Sequence, residues 1–223
     1  FLAFIKVSGL YFSKGIKYYH VHTLPDFLVF TTLIPKIFGA KVILDFHELF
    51  PEFMQQQKPY LSDKSFLIRL IRFQERISFK FADEIITFHD PALDILIKRN
   101  GNNKFVTTIM NCVDPDEMRD IKKIESKEFN LVYNGTINYN LNLPVVVKVF
   151  NRIRNINPEV YKNIKFHMYG DGPDLENIFE TARRLNVDNI IYHGRLDYKD
   201  MYRELRNATA LVLPPKRDIY SDL

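Results

Sequence analysis

The most constraining feature of the sequence is a short apolar stretch that ends in two closely spaced glycines. Phe166 and Met168 lie in a run that predicts a buried strand, and Gly170 and Gly172 follow it. Because glycine tolerates positive φ, this pair predicts a sharp turn. Pro173 then suits the first position of a helix, where its missing N–H group has no helical partner. A buried strand that turns sharply into a helix is therefore expected here.

The same alternation of strand and helix continues to the end of the chain. The pattern predicts a helix over 175–185, a strand over 189–192, a helix over 198–205 and a strand over 209–213. Such alternation is typical of a parallel sheet covered by helices. Ligands of these folds bind outside the carboxyl ends of the strands. We therefore expect a site at the loops 170–172 and 194–196 and in the tail after Leu213.

A similar pattern precedes this stretch. It predicts helices over 1–14, 26–38, 62–81 and 90–99, strands over 18–21, 41–46, 84–88, 105–110 and 129–133, and a helix that opens at Pro144. The segment 116–128 is polar and charged, which is typical of a connection between domains. The predicted fold class is α/β, with two tandem Rossmann-like domains over 1–125 and 126–223.

Apolar spacing assigns a core-facing side to two of the helices in the first domain. In the helix 26–38 this side carries Phe27, Phe30, Ile34, Ile37 and Phe38. In the helix 62–81 it carries Phe66, Leu70, Phe73, Ile77 and Phe81, while Arg69, Arg72, Arg76 and Lys80 share another side. The basic side predicts a solvated surface; the alternative is that this helix lies on an anionic membrane.

Ionisable residues crowd the end of the predicted strand 41–46. Asp45, His47 and Glu48 stand there, and imidazole and carboxylate are the usual groups for proton transfer and orientation. The alternative is an ordinary helix N-terminus with capping acids. A metal site is not expected, since His47 and Glu48 are adjacent and point apart. We expect His20 and His22, in the preceding strand, to face opposite sides, one in the core and one at the surface.

Composition excludes several classes of protein. A net charge of +4 is too small to argue for nucleic-acid binding, and the single cysteine, Cys112, favours a reducing compartment. The chain has no run of about 18 apolar residues and no visible signal peptide. It also lacks the glycine-rich dinucleotide motif, the Walker loop, the nucleophile elbow and the common zinc patterns.

Seven short motifs, in a fixed order, resemble one enzyme family. They are Asp45–Glu52 (DFHELFPE), Phe81–Thr87 (FADEIIT), Met110–Asp114 (MNCVD), Tyr133–Thr136 (YNGT), Tyr169–Pro173 (YGDGP), Tyr192–Leu196 (YHGRL) and Leu211–Pro214 (LVLP). This order is similar to that of the retaining, nucleotide-sugar-dependent glycosyltransferases of group-1 type with the GT-B fold. The resemblance spans nearly the whole chain and implies two Rossmann-like domains that face a cleft.

The resemblance also implies roles for individual residues. His47 would approach the transferred sugar and its phosphate, with His22, Asp45 and Glu48 on the acceptor side. The donor would contact Gly135, Thr136, Gly170, Gly172, Arg195 and Leu196. Backbone N–H groups at strand-to-helix turns bind phosphate, which agrees with this assignment. No metal or other cofactor is implied, because the nucleotide-sugar is itself the donor substrate.

The sequence departs from the family pattern in three places. The opening strand and glycine-rich loop are not found after Phe1, and the Glu-x7-Glu motif would follow Leu223. Asn140 occupies the position where an arginine usually clamps the diphosphate, and no lysine precedes Lys148. We therefore expect a fragment that lacks both ends and does not itself catalyse transfer.

The expected function of the parent protein is transfer of a hexosyl group, with retention, to a glycan or lipid-linked acceptor in glycan biosynthesis. The alternatives are a non-catalytic GT-B homologue that binds a nucleotide or a partner, and a nucleotide-sugar epimerase of the same fold. The expected location is the cytoplasm, with peripheral contact at the inner face of the membrane through the helix 62–81.

Overall fold

The computed structural model describes residues 2–101 and 105–216, which divide into two compact α/β units. The first unit ends at Cys112 and the second begins at Val113, earlier than the predicted division after residue 125. The connection belongs to the second unit because the Ile124 N–H donates to Asn207 Oδ1 over 2.9 Å. The part of the predicted tail site beyond residue 216 lies outside the described residues.

The first unit contains a parallel sheet in the order β1-β2-β3-β4. Its strands are β1 (Tyr18–His22), β2 (Lys41–Phe46), β3 (Glu84–Thr87) and β4 (Phe105–Thr108). Its helices are α1 (Leu2–Lys14), a 3-10 helix (Asp26–Thr32), α2 (Leu33–Ile37), α3 (Phe50–Gln57), α4 (Phe66–Phe81) and α5 (Asp90–Asn100). The core lies between β2, β3 and the helices, around the buried Leu44, Phe46, Phe79 and Ile85.

The second unit repeats the plan with strands in the order β7-β6-β5-β8, again parallel. Its strands are β5 (Phe129–Asn134), β6 (Ile164–Tyr169), β7 (Ile190–Gly194) and β8 (Ala210–Leu211). Its helices are α6 (Pro115–Arg119), a 3-10 helix (Tyr139–Leu141), α7 (Pro144–Ile156), α8 (Pro158–Lys162), α9 (Leu175–Leu185) and α10 (Tyr198–Asn207). Phe150, Phe166, Met168 and Ile178 centre its core. Each unit therefore presents the carboxyl ends of neighbouring parallel strands along one edge.

The side of α4 that the sequence assigned to the core is exposed instead. Phe66, Leu70, Phe73 and Ile77 are 81%, 49%, 60% and 37% exposed, respectively. The buried side carries Ile68, Ile71, Glu75, Ser78 and Phe79. Of the predicted core residues of this helix, Phe81 does pack against the first core.

An ion-pair network explains why α4 turns this side inward. Glu75 is fully buried, and its carboxylate accepts hydrogen bonds from Arg99 Nη1 over 2.7 Å and from Asn100 Nδ2 over 2.9 Å. Arg99 also donates to Glu52 Oε1 from Nη2 over 2.5 Å. A buried carboxylate needs such partners. Apolar periodicity predicts that the most hydrophobic side of a helix is buried. It therefore fails where a buried ion pair holds a less hydrophobic side against the core.

The predicted helix 26–38 differs in a similar way. It divides into a 3-10 helix and α2, and it buries Asp26, Val29, Thr32 and Pro35. Phe27, Ile37 and Phe38, which were expected in the core, are exposed. Phe38 instead packs edge-on against Phe12 of α1, with ring centroids 5.3 Å apart.

The burial of Asp26 predicts a pH-dependent stability for the first unit. Burial, and to a smaller extent the charge of Glu75, raises the pKa of Asp26 to about 7. The unfolded pKa is about 3.9. The folded state thus binds more protons than the unfolded state between these values, and stability is lost as pH rises from about 4 through 7. Asp26→Asn should therefore raise the free energy of unfolding at pH 8 by up to about 4 kcal/mol.

Urea unfolding at pH 4 and pH 8 checks this expectation. Asp94→Asn is the matched control, because Asp94 is an exposed carboxylate on α5 of the same unit. We expect Asp26→Asn to have a higher free energy of unfolding than the wild type at pH 8 but not at pH 4. The free energy of unfolding of Asp94→Asn should match that of the wild type at both pH values. Equal pH profiles for the wild type and Asp26→Asn would show that Asp26 titrates normally.

Among the described residues, no helix combines the length and apolar character needed to cross a membrane.

Candidate functional site

The carboxyl ends of β5, β6 and β7 surround a cavity of about 220 Å³ in the second unit, here called the strand-end cavity. It is lined by Asn134, Gly135, Thr136, Gly170, Asp171, Arg195 and Leu196. The structure therefore brings together five of the six donor-side residues that the sequence predicted. The sixth, Gly172, does not line the cavity.

Glycines form this edge by letting the loops approach one another. A Cβ atom on Gly170 would lie 1.9 Å from the Gly135 carbonyl oxygen, and its φ is +124°. A Cβ atom on Gly172, at φ +158°, would lie 2.1 Å from the Ile137 carbonyl oxygen. No residue with a side chain fits at these distances. The two glycines thus bring the loop after β6 against the loop after β5, which is a packing role rather than direct access to a ligand.

Four backbone N–H groups of the strand-end cavity are available to a ligand. The amides of Gly135 and Gly170 already donate, to the carbonyl oxygens of Tyr169 (3.1 Å) and Gly194 (2.8 Å). Within the described residues, four other cavity amides have no hydrogen-bond acceptor. They belong to Thr136, Asp171, Arg195 and Leu196. Unpaired N–H groups at strand-to-helix turns are suited to phosphate oxygens.

The positive charge of Arg195 in the cavity lining also favours binding of an anion. The Arg195 side chain is exposed, and its guanidinium makes no ion pair in the part of the chain that the structure describes. The one carboxylate of the lining, Asp171, accepts the N–H of Gly172 at Oδ1 over 2.8 Å. An unpaired arginine beside free amides can hold a diphosphate by charge-assisted hydrogen bonds.

Lys216, which was not among the predicted site residues, lies next to Asn140, the position where an arginine was expected. The Lys216 N–H donates to the Asn140 carbonyl oxygen over 2.7 Å, so the chain after β8 returns to the 3-10 helix that follows β5. The sequence did contain a signal for this residue: Lys216 is a basic residue just beyond a predicted strand, in the tail after Leu213 where a ligand was expected. The backbone of Lys216 therefore lies beside the segment that follows β5.

In the first unit, three histidines surround one carboxylate at the carboxyl ends of β1 and β2. Parallel pairing sets His22 opposite Asp45, and His20 lies two residues before His22 on the same side of β1. The rings of His20 and His22 stack with centroids 4.4 Å apart. The expectation that they face opposite sides was wrong, because side chains two residues apart on a strand share a side.

The contacts of this histidine cluster are short. Asp45 Oδ2 lies 2.9 Å from His20 Nε2, 3.2 Å from His22 Nδ1 and 3.6 Å from His47 Nε2. His22 Nδ1 is also 2.7 Å from His47 Nε2. The His47 amide donates to Thr23 Oγ1 over 3.0 Å, which fixes the turn after β2. The predicted catalytic residue, His47, is thus brought together with two of the predicted acceptor-side residues, His22 and Asp45, and His20 joins them.

Glu48 stands apart from this histidine cluster. It is half-buried, and burial raises its pKa, against the smaller opposing effect of His47. No side chain caps the N-terminus of α3, so the alternative of capping acids is not what the described structure contains. Glu52, the other acid of this segment, pairs with Arg99.

A larger cavity of about 380 Å³ lies between α6 and α10 of the second unit. Its lining is Glu117, Ile121, Tyr198, Lys199, Tyr202 and Arg203. It contains no strand end and no glycine turn. The binding rule of parallel α/β sheets therefore favours the smaller strand-end cavity as the candidate site.

Comparison with known proteins gives a family match for the second unit. Residues 114–218 match the family model of glycosyl transferases group 1. No curated protein sequence matches the chain.

Solved structures share the fold at low sequence identity. TarM superposes with a TM-score of 0.64 at 14% identity, over 94% of this chain and 39% of TarM. A structure described as trehalose-6-phosphate from E. coli bound with UDP-2-fluoro glucose superposes with a TM-score of 0.67 at 12% identity, over 97% of this chain and 56% of that one. The lipopolysaccharide outer core galactosyltransferase WaaB gives a TM-score of 0.62 at 14% identity, over 96% and 54%.

The chain thus spans between 39% and 56% of the length of these three proteins. The chain has two parallel sheets in tandem, and the family match covers the second. The predicted fold class is confirmed: the chain has the α/β fold of GT-B glycosyltransferases, and its second unit matches the group 1 family model.

Proposed function

We propose that the chain is part of a glycosyltransferase that moves a sugar from a nucleotide-sugar donor to an acceptor. The second unit binds the donor, with its diphosphate in the strand-end cavity. The first unit serves the acceptor side. The observation that carries the proposal is the strand-end cavity itself, which combines free backbone amides with the unpaired guanidinium of Arg195.

The finer parts of the proposal concern the reaction. We propose a hexosyl transfer with retention at the anomeric carbon, to a glycan or lipid-linked acceptor. His47 contributes by contact with the transferred sugar rather than by proton abstraction, since a departing phosphate can accept the proton of the acceptor. Polar groups placed against the charge that develops on the leaving group are what this reaction needs. Donor binding requires no metal in this scheme, because Arg195 and the four amides face the diphosphate charge.

Removing the charge of Arg195 should weaken donor binding. Hydrogen bonds to a charged group contribute about 1.5–3 kcal/mol, and exposure of this side chain reduces that range. We therefore expect Arg195→Gln to lower the affinity for a nucleoside diphosphate about tenfold, which corresponds to about 1.4 kcal/mol. Calorimetric titration of the chain with uridine, adenosine and guanosine diphosphates measures the change.

Arg184→Gln is the matched control for this experiment. Arg184 is an exposed arginine in the last turn of α9, away from the strand ends, so its loss changes the net charge equally. The control should bind as the wild type does. If Arg195→Gln and Arg184→Gln lose affinity to the same small extent, Arg195 is not part of the donor site.

A second proposal concerns location. We propose that the parent protein works on the cytoplasmic side of a membrane, which it contacts through α4. The apolar stripe of Phe66, Leu70, Phe73 and Ile77 is exposed, and Arg69, Arg76 and Lys80 are exposed directly beside it. A helix with this arrangement can bury its apolar stripe in an anionic interface. Each basic residue near such a surface contributes about 1 kcal/mol.

Vesicle co-sedimentation tests the contact. The chain should bind vesicles that contain phosphatidylserine more tightly than vesicles of phosphatidylcholine alone. Arg69→Glu with Lys80→Glu should abolish this preference, whereas Lys122→Glu with Lys123→Glu, which makes the same charge change in the exposed connection, should retain it. Equal binding to both kinds of vesicle would contradict the proposal.

A further inference from the structure

The histidine cluster of the first unit contains a set of metal-ligand atoms. His20, His22 and Asp45 each offer one ligand atom, and these three atoms all lie within 4.8 Å of one another. The set is built by strand geometry, because His20 and His22 share one side of β1 and Asp45 lies beside His22 on β2. The positions are therefore fixed by the sheet rather than by a mobile loop.

The chemistry of the set matches a particular class of cation. Two imidazole nitrogens and one carboxylate oxygen suit Zn²⁺ and its first-row neighbours, whereas Mg²⁺ and Ca²⁺ prefer oxygen ligands alone. Ligand bonds of about 2.0–2.1 Å in tetrahedral geometry place ligand atoms about 3.3 Å apart. The two separations from Asp45 Oδ2, 2.9 Å and 3.2 Å, are close to this value.

The surroundings of the set also favour a cation. The Asp45 side chain is only 14% exposed, while the side chains of His20 and His22 are 45% and 57% exposed, so the carboxylate forms the floor of an open cluster. His47 Nε2 lies 2.7 Å from His22 Nδ1 and 3.6 Å from Asp45 Oδ2, which places a third imidazole at the same point. Three protein ligands and one open position are the pattern of an accessible zinc site.

We propose that His20, His22 and Asp45 bind one divalent transition-metal cation of the Zn²⁺ class, with His47 beside the open coordination position. All of its ligands belong to the first unit, and none of them lines the strand-end cavity. The proposal therefore does not rest on the proposed transferase function. It is also compatible with the proposal that donor binding in the second unit requires no metal.

Zinc binding by the 223-residue chain, free of any affinity tag and stripped of metal by a chelator, tests the proposal. Competition with a chromophoric chelator should give one Zn²⁺ per chain, with a Kd of about 1 μM or lower. His20→Ala and Asp45→Asn should each raise this Kd at least tenfold. Saturating Zn²⁺ should raise the Tm of the wild type and leave the Tm of His20→Ala nearly unchanged.

Two control variants make the result specific. His193→Asn alters a second close histidine pair, in which His167 Nδ1 and His193 Nε2 lie 3.0 Å apart. This pair is not part of a group of three metal-ligand residues among the described residues. Cys112→Ser removes the exposed thiol, which could bind Zn²⁺ by itself. Both should bind as the wild type does, and circular dichroism confirms that each variant is folded. Absence of saturable binding, or equal Kd values for the wild type, His20→Ala and Asp45→Asn, would overturn the proposal.

Discussion

Gly170→Ala is expected to destabilise the second unit by about 3 kcal/mol or more and to abolish nucleotide binding. The backbone at Gly170 has φ +124°, where a residue with a side chain costs on the order of 1–3 kcal/mol. In addition, the new Cβ would lie 1.9 Å from the Gly135 carbonyl oxygen, so the loops after β5 and β6 must separate. Both loops line the strand-end cavity. Thermal melting and nucleoside diphosphate titration of the same preparation measure both effects.

Gly194→Ala provides a matched control. Gly194 also has positive φ, +73°, but a Cβ atom there would meet only the Tyr192 hydroxyl, at 4.0 Å. The control therefore carries the backbone cost without the clash, and it should be clearly more stable than Gly170→Ala. A Gly170→Ala variant that melts as the wild type does would mean that the two loops are not packed as described.

Arg99→Ala is expected to destabilise the first unit by about 3–5 kcal/mol, because it removes the closest cationic partner of two buried carboxylates. Arg99 holds Glu75 from Nη1 and Glu52 from Nη2, and both acids are buried. Burial already raises the pKa of Glu75, and the charge of Arg99 is the largest opposing effect. Urea unfolding at pH 8 measures the loss.

The cause of this loss can be separated from simple loss of packing. Arg99→Leu combined with Glu52→Gln and Glu75→Gln removes the guanidinium of Arg99 and both carboxylates that it pairs with, so neither acid is left charged without Arg99. This triple variant should recover most of the lost stability. Arg69→Ala, at an exposed position of α4, should change stability little. If the triple variant is as unstable as Arg99→Ala, the buried charges are not the cause.

The second unit was predictable because its sequence signals are local and agree with one another. Apolar strands, glycine turns and Pro173 each predict the same strand-to-helix joint, and parallel strands align their carboxyl ends at one edge. The cavity lies at the edge where this topology places a ligand, and five of the residues that the family resemblance assigned to the donor line it. The free amides and the return of Lys216 to Asn140 depend on tertiary hydrogen bonds, which no local pattern encodes.

The errors in the first unit have two physical origins. The sides of α4 are set by the long-range pairing of Glu75 with Arg99, 24 residues away in sequence. His20 was left out of the predicted site because His20 and His22 were assigned to opposite sides, although the two-residue period of a strand gives them the same side. The pairing of β1 with β2, which adds Asp45, follows only from the observed register.

A nuclear magnetic resonance titration of the ¹⁵N-labelled chain with uridine, adenosine and guanosine diphosphates tests the central claim most directly. The claim is that a donor diphosphate binds the strand-end cavity. We predict that at least one nucleotide shifts the amide signals of Thr136, Asp171, Arg195 and Leu196 in a saturable way. Signals of Glu117, Tyr198 and Tyr202, around the larger cavity, should stay in place. Shifts confined to that larger cavity, or no saturable shifts with any of the three nucleotides, would contradict the claim.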